Sequence, residues 1–288
     1  ERARATTLWP LFPAFTRGLI DHPLFSATDL GRVKQLPTVG PPEMLLAAQR
    51  AFPHARVMNA YGMTETSAII VLPEHGESLE HRVEWSGTPF RGIEARIIDP
   101  ETGGPAHPGE IGELLVRGYC ILDGYYREPQ KTADTIDDEG WLHTGDLCLM
   151  DEEGRVAFRG RLKDMLKVGG ENVAALEIEA FISSHSAVRH VEVVGVPDPR
   201  LDEVPVAFVE VYDGDGITED ALIEFCEGSL ASYKVPRHIR FVEPYEWPMS
   251  ATKVDKTALR ERIQEELGAG RAPRRSAVQT LDDHRLAL

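Results

Sequence analysis

Cysteine is scarce and unpatterned. Cys120, Cys148 and Cys226 are widely spaced and odd in number, which gives neither a disulfide framework nor a zinc pattern, so a reducing, cytoplasmic setting is expected. Long apolar runs are lacking too. With no stretch of about 18 apolar residues and no basic-then-apolar leader, the sequence offers no candidate membrane span or export signal. Positive charge is in deficit: 31 Lys and Arg against 47 Asp and Glu leave a formal charge of −16. Most of the surface therefore repels nucleic acid and anionic lipid, and the lack of basic amphipathic helices argues against tight membrane attachment. The chain opens at Glu1 with no initiating methionine, and a cut N-terminus is expected.

What is there fits a globular, acidic enzyme or binding protein. A length of 288 residues allows two domains, each with its own core. In so acidic a chain, a phosphate-bearing ligand needs locally concentrated basic groups. The run Arg159, Arg161, Lys163 and Lys167 supplies one such place, and Lys253 with Lys256 another. All of the first run but Arg159, which stands just outside, belongs to Gly160 to Glu179, a charged stretch holding Gly169-Gly170 and passing into an amphipathic helix. It is read as a hinge between two unlike halves.

Before it, proline density around Trp9 to Pro23 limits helices to short lengths, with one apolar-periodic piece at 15–20. A strand at 36–39 ends at Gly40-Pro41-Pro42, and a helix follows over 43–52 with Pro42 suited to its first turn. A buried strand at 56–58 opens into the loop Asn59 to Glu65, the position where open α/β sheets place ligand groups. Short strands are expected at 68–72, 94–98, 112–116, 147–150 and 156–158, with hairpin-turn chemistry at Asp151 to Gly154. After the hinge come helix 175–183, strands 190–196 and 204–211, helix 219–230, strand 238–242 and helix 256–267, a compact α+β unit. Residues 269–288 have no periodicity and are expected to be a disordered tail.

Within Asn59 to Glu65, Tyr61 offers an aromatic face for a base, Thr64 a hydroxyl for a phosphate oxygen, and Glu65 a carboxylate for a magnesium ion. Asp146, in Thr144-Gly145-Asp146 and read as following a Gly turn, can accept both hydroxyls of a ribose. Arg161 has forked donors for a sugar or phosphate. Lys253 sits in a loop before the last helix.

These segments, in this order, resemble the adenylate-forming superfamily of acyl-CoA and aryl-CoA ligases, peptide-synthetase adenylation domains and beetle luciferases. The segments that match are Asn59 to Glu65 (Asn-x-Tyr-Gly-x-Thr-Glu), Gly112 to Gly118 (Gly-Glu-Leu-x-Val-Arg-Gly) with Gly124-Tyr125-Tyr126 behind it, and Trp141 to Leu147 (Trp-x-x-Thr-Gly-Asp-Leu). Gly160 to Val173, Tyr233 to Pro236 and the Lys253 segment complete the set. The resemblance implies that Tyr61 stacks on or beside adenine, with Gly40, Pro41 and Pro42 as another wall. Asn59 and Gly62 shape the same loop, Thr64 touches the α-phosphate and Glu65 helps hold magnesium. It further implies that Asp146 takes the ribose hydroxyls with Arg161 assisting, and that Lys163 is the hinge residue. Lys253 would bridge the substrate carboxylate and the α-phosphate, while Lys167, Gly169 and Gly170 would serve the second half-reaction.

The fold so implied is α/β and α+β. Residues 1–162 would be the C-terminal part of a large AMP-binding domain with a β-rich subdomain at 67–160, and 163–268 a small mobile α+β lobe. The family's Thr/Ser/Gly-rich phosphate loop is absent from these residues, so the chain reads as the C-terminal half of such an enzyme. A second departure is that Thr252 stands directly before Lys253 where many members have Gly. The expected function is an ATP-dependent carboxylic acid:CoA ligase, most like a fatty or aryl acyl-CoA ligase, using ATP, magnesium and coenzyme A. Its implied partners are a small carboxylic acid and the upstream half of the same enzyme, with no nucleic acid; a homodimer is left open. Two other readings stand beside it: an adenylation module that loads a carrier protein, and a non-catalytic half that binds nucleotide or a partner chain.

Overall fold

A computed structural model describes residues 4–10, 13–26, 28–212, 216–250 and 253–268. The expected tail at 269–288, and Ala251 and Thr252 of the lysine segment, lie outside the described residues. The chain divides into two units, Glu1–Lys163 and Asp164–Leu288, each described by itself below.

In the first unit, helix α1 (Pro13–Ile20) opens on a proline, whose fixed φ and missing N–H suit a helix start. Strand β1 (Gln35–Thr38) is followed by α2 (Pro42–Ala51), again opened by proline, which buries Met44, Leu45 and Ala48 on one stripe. Strand β2 (Arg56–Asn59) pairs in parallel with β1, Leu36 opposite Val57. Burying Leu36, Leu45 and Val57 completely contributes about 1.5–3 kcal/mol each. The two strands end on one edge, where the Ala60 amide donates to the Thr38 carbonyl at 2.9 Å.

The segment expected as one open loop after β2 is partly ordered as a strand. Tyr61–Met63 is β3, pairing antiparallel with β4 (Ala68–Leu72) around a tight helical turn at Thr64–Thr66. Thr66 closes that turn, its hydroxyl bonding both the Met63 amide and the Ala68 carbonyl. Helix α3 (Leu79–Glu84), not expected from its weak periodicity, is capped by the Ser78 hydroxyl. Strand β5 (Thr88–Pro89) adds to β4.

Strands β6 (Ile93–Ile98) and β7 (Gly112–Gly118) lead through the short helix α4 (Pro129–Thr135), also unexpected, to β8 (Leu142–Met150) and β9 (Val156–Arg161). They form one antiparallel sheet in sequence order. Strand β8 begins five residues before the expected strand at 147–150, so Thr144-Gly145-Asp146 lies within a strand rather than after a turn.

In the second unit β10 (Met165–Val168) and β11 (Glu171–Ala174) form a hairpin through Gly169-Gly170, whose φ angles of 61 and 90 need glycine. The Gly169-Gly170 pair within the charged stretch read as a hinge is thus a regular hairpin turn. Helix α5 (Ala175–Ser183), β12 (Val188–Asp198), β13 (Asp202–Val211), α6 (Glu219–Glu227) and β14 (His238–Phe241) follow. Strand β13 is central: β12 lies antiparallel on one side, with β14 parallel and β10 on the other.

Its side chains alternate between two cores. Ala207 and Val209 pack with Ile178, Ile182 and Leu222 of α5 and α6, while Val206 and Phe208 pack with Leu259 and Ile263. Those last two belong to α7 (Lys256–Gly268), which follows the short strands β15 (Met249–Ser250) and β16 (Lys253–Val254). Helices on both faces explain why consecutive residues are buried at 193–196 of β12 and 204–210 of β13.

Candidate active site

Three of the expected site residues converge in the first unit. Tyr61 enters from β3, Asp146 from β8 and Arg161 from the end of β9. The Tyr61 hydroxyl donates to Oδ2 of Asp146 at 2.9 Å, and Nε of Arg161 lies 3.1 Å from Oδ1. Strand register explains the second pair, since Asp146 and Arg161 are directly opposite across β8 and β9. The carboxylate is 3% exposed and the guanidinium more than a third, so the arginine is the face this group turns outward. An ionised carboxylate is an acceptor only, which suits hydroxyl donors.

The Tyr61 ring itself is 5% exposed and packs in a core with Ile70, Val71, Cys148 and Val156. The open aromatic face expected for a base is therefore largely taken up by the protein. What Tyr61 presents to the site is its hydroxyl. Burial first, and then the Asp146 carboxylate, push that hydroxyl well above its ordinary 10.0, so it remains a donor throughout the neutral range.

Asp146 reaches this position because β8 bulges. Glu113 of β7 faces Leu147 and Leu115 faces His143, so two residues of β7 are matched by four steps along β8. The extra length is taken up at Gly145, whose φ of 65 is left-handed. Glu113, a buried carboxylate beside the apolar run Leu114 to Val116, braces the bulge. It accepts from the Gly145 amide at 3.1 Å through Oε1 and meets His143 Nδ1 at 3.2 Å through Oε2. The Thr144 hydroxyl bonds the Leu114 carbonyl at 2.7 Å and accepts from the Asp146 amide at 3.1 Å. Glu113 carried no expected role. Its signal in the sequence was a lone acid inside the run Gly-Glu-Leu-Leu-Val.

Thr64 and Glu65 form the turn directly after β3, with Thr64 exposed and Glu65 half-buried. Glu65 accepts from the Tyr125 hydroxyl at 2.9 Å, and its carbonyl accepts from the Leu122 amide at 2.9 Å. Tyr125 is a second residue that sequence reasoning left without a role; burial, and then Glu65, raise its hydroxyl pKa. Among the described residues no group of three or more His, Cys, Asp or Glu could hold a metal ion. A single carboxylate suits magnesium that is carried mainly on phosphate oxygens and water, and Glu65 fits that part.

Gly40-Pro41-Pro42 leaves the same strand edge as Asn59, whose side-chain amide lies 3.5 Å from the Val83 carbonyl. At Gly62 a Cβ would overlap the Ala68 carbonyl, so glycine is needed for β3 to pair with β4. In the second unit Lys167, Gly169 and Gly170 are exposed on the β10–β11 hairpin, and the Lys167 amide donates to Glu203 at 2.9 Å. Lys253, exposed, stands opposite Ser250 in the β15–β16 pair. Lys163 is exposed in the short turn Leu162–Asp164.

The sequence family described as AMP-binding enzyme matches residues 2–126, and that described as AMP-binding enzyme C-terminal domain matches residues 177–253. The provisionally named acyl-CoA synthetase YngI of Bacillus subtilis (strain 168) is 38% identical over 269 residues, covering 92% of this chain and 48% of that protein. The mitochondrial medium-chain acyl-CoA ligase ACSF2 of Bos taurus is 35% identical over 258 residues, with 88% and 42% covered. Among solved structures, ATP-bound MatB from Rhodopseudomonas palustris superposes with a TM-score of 0.81 at 32% identity, covering 91% of this chain and 52% of that one. The chain belongs to the adenylate-forming superfamily of AMP-binding enzymes. It spans about half the length of the curated relatives it matches. Like other members it is a mixed α and β protein, and no helix among its described residues is long and apolar enough to cross a membrane.

Proposed function

We propose that this chain forms the ribose-binding and acyl-transfer half of an ATP-dependent carboxylic acid:CoA ligase. The observation that carries the reading is the convergence of Tyr61, Asp146 and Arg161, drawn from three strands around one buried carboxylate. Asp146, its oxygens fixed by the tyrosine and the arginine, would accept the two ribose hydroxyls of ATP and then of the acyl-adenylate. Gly40, Pro41 and Pro42 would border the base, and Thr64 would bond an α-phosphate oxygen.

Chemically, a carboxylate resists thiols because oxide is a hopeless leaving group. In the proposed first step a carboxylate oxygen bonds the α-phosphorus while the bond to the bridging oxygen of pyrophosphate breaks. Lys253 offsets charge on the phosphate oxygens, a contribution of roughly 3–4 kcal/mol for a well-placed cationic donor. Magnesium, when bound, neutralises phosphate charge, and Glu65 is the residue that would hold it. In the second step the thiol sulfur of CoA bonds the acyl carbon, AMP leaves with the former acid oxygen, and the thiol proton passes to solvent. Lys167 and the Gly169-Gly170 turn would serve this step, with Lys163 as the pivot between the two.

The relatives named as acyl-CoA synthetase and acyl-CoA ligase support CoA as acceptor. Pyrophosphate exchange by the full-length protein with a panel of carboxylic acids tests the first step, and CoA-dependent AMP release without any carrier protein tests the second. Exchange that persists undiminished in Asp146→Ala would overturn the reading.

A further inference from the structure

In the second unit the hairpin that bears Lys253 is tied to the sheet at both ends by buried carboxylates. At its exit the hairpin closes where the Asp255 amide donates to the Pro248 carbonyl at 2.7 Å. The next residue, Lys256, turns inward. Its Nζ donates to Glu179 Oε1 of α5 at 2.5 Å, to the Val193 carbonyl at 3.3 Å, and lies 3.4 Å from Glu192 Oε2 of β12. Glu179, 8% exposed, is itself fixed by the Val193 amide at 2.7 Å.

At the entry, Trp247 donates through Nε1 to Glu210 Oε2 of β13 at 2.6 Å, and Glu210 also pairs with Arg189 at 2.9 Å. His190 joins the two anchors. Its ring meets the Trp247 ring edge-on, centroids 4.8 Å apart, and its Nε2 lies 3.3 Å from Glu192 Oε1.

We infer that Lys256 and Trp247 are positioning residues for Lys253: the chain Lys256–Glu192–His190–Trp247, with Glu179 and Glu210 beneath it, fixes the short hairpin on which Lys253 is presented. The physical need is plain. Two strands of two residues each cannot hold a register alone, and a misplacement of about 1 Å at a reacting group can cost on the order of 10²-fold in rate. A lysine buried between two glutamates is a poor choice for stability alone, since apolar residues often do as well there, but it fixes one geometry. Burial works against its charge, yet Glu179 and Glu192 raise the Lys256 pKa, so it stays protonated across the neutral range. The inference rests on the role of Lys253 proposed above.

Hydrogen exchange on the 288-residue chain tests the positioning directly. Lys256→Met should speed exchange of the Asp255 amide by about 10- to 100-fold, the loss of charge-assisted bonds, while Phe208 and Val209 of β13 keep their protection. Lys256→Arg should restore the slow rate, and Trp247→Phe should loosen the same hairpin from its other end. In the full-length protein Lys256→Met should lower kcat for adenylation by on the order of 10²-fold with KM for ATP little changed, again restored by arginine. A hairpin as protected in Lys256→Met as in the wild type overturns the inference. So does loss of protection throughout the unit in both variants, which would make the network a matter of general stability. Lys253→Ala at the wild-type adenylation rate would instead remove the role of Lys253 itself, and with it the catalytic consequence of the anchoring.

Discussion

The Tyr61 hydroxyl and the Asp146 carboxylate, 85 positions apart in the chain, meet at 2.9 Å in the buried floor of the candidate site. The ring of one is core and the carboxylate of the other is cradled by a strand bulge. The geometry of the site therefore depends on the packing of two sheets as much as on the functional groups themselves.

Glu113 should matter to nucleotide binding although it is not proposed to touch the nucleotide. Removing it leaves the Gly145 amide and His143 without their acceptor, at a cost of about 1–3 kcal/mol. Urea unfolding of Glu113→Ala should show that loss, and AMP affinity should fall with it. Glu113→Gln, which keeps an oxygen for the Gly145 amide, should retain more of both.

Two glycines should respond to alanine differently. At Gly145 a Cβ meets nothing within 4 Å, so the penalty comes only from its left-handed φ of 65 and should be about 1–2 kcal/mol. At Gly62 the Cβ overlaps the Ala68 carbonyl, so β3 must part from β4 and about 3 kcal/mol or more is expected. Comparing the two unfolding midpoints checks the order.

Alkaline titration should single out Tyr61. Its pKa in the fold is raised above the ordinary 10.0 by burial and then by Asp146. The stability this represents is fully present below pH 10.0 and is lost as pH rises through the higher folded value. Of the seven tyrosines, Tyr125 is also raised, but Tyr61, raised well above the ordinary value, should ionise last in the ultraviolet tyrosinate signal, and Tyr61→Phe should abolish that last step.

Tyr125→Phe should act on magnesium rather than on ribose. Losing the 2.9 Å bond to Glu65 frees that carboxylate to turn, and the magnesium needed for half-maximal adenylation should rise several-fold, as expected for about 1 kcal/mol. Affinity for AMP without magnesium should not change.

Much of this was legible in the sequence. Helices α5, α6 and α7 and strands β12, β13 and β14 of the second unit were expected close to their observed bounds, because apolar periodicity and burial agree there. The association of Asn59 to Glu65 with Asp146 and Arg161 rested on resemblance, since nothing local says that residues 85 apart will meet. Besides the short helices α3 and α4, further features escaped. The strand character of Tyr61–Met63 depends on its partner β4, and its glycine reads locally as a loop. The strand at 142–150 was cut short because Thr-Gly-Asp has turn chemistry, which here is spent on a bulge inside a sheet. The burial of the Tyr61 ring in one core with Ile70, Val71, Cys148 and Val156 is set by tertiary packing and invisible to spacing.

The ribose assignment is tested most directly by calorimetric titration of the chain with AMP and with 2′,3′-dideoxy-AMP, each against wild type and Asp146→Ala. Wild type should bind AMP on the order of 10-fold or more tighter than the dideoxy analogue, the worth of hydrogen bonds to a charged acceptor, and Asp146→Ala should bind both alike. Equal affinity of the wild type for the two nucleotides, or discrimination that survives in Asp146→Ala, would contradict it.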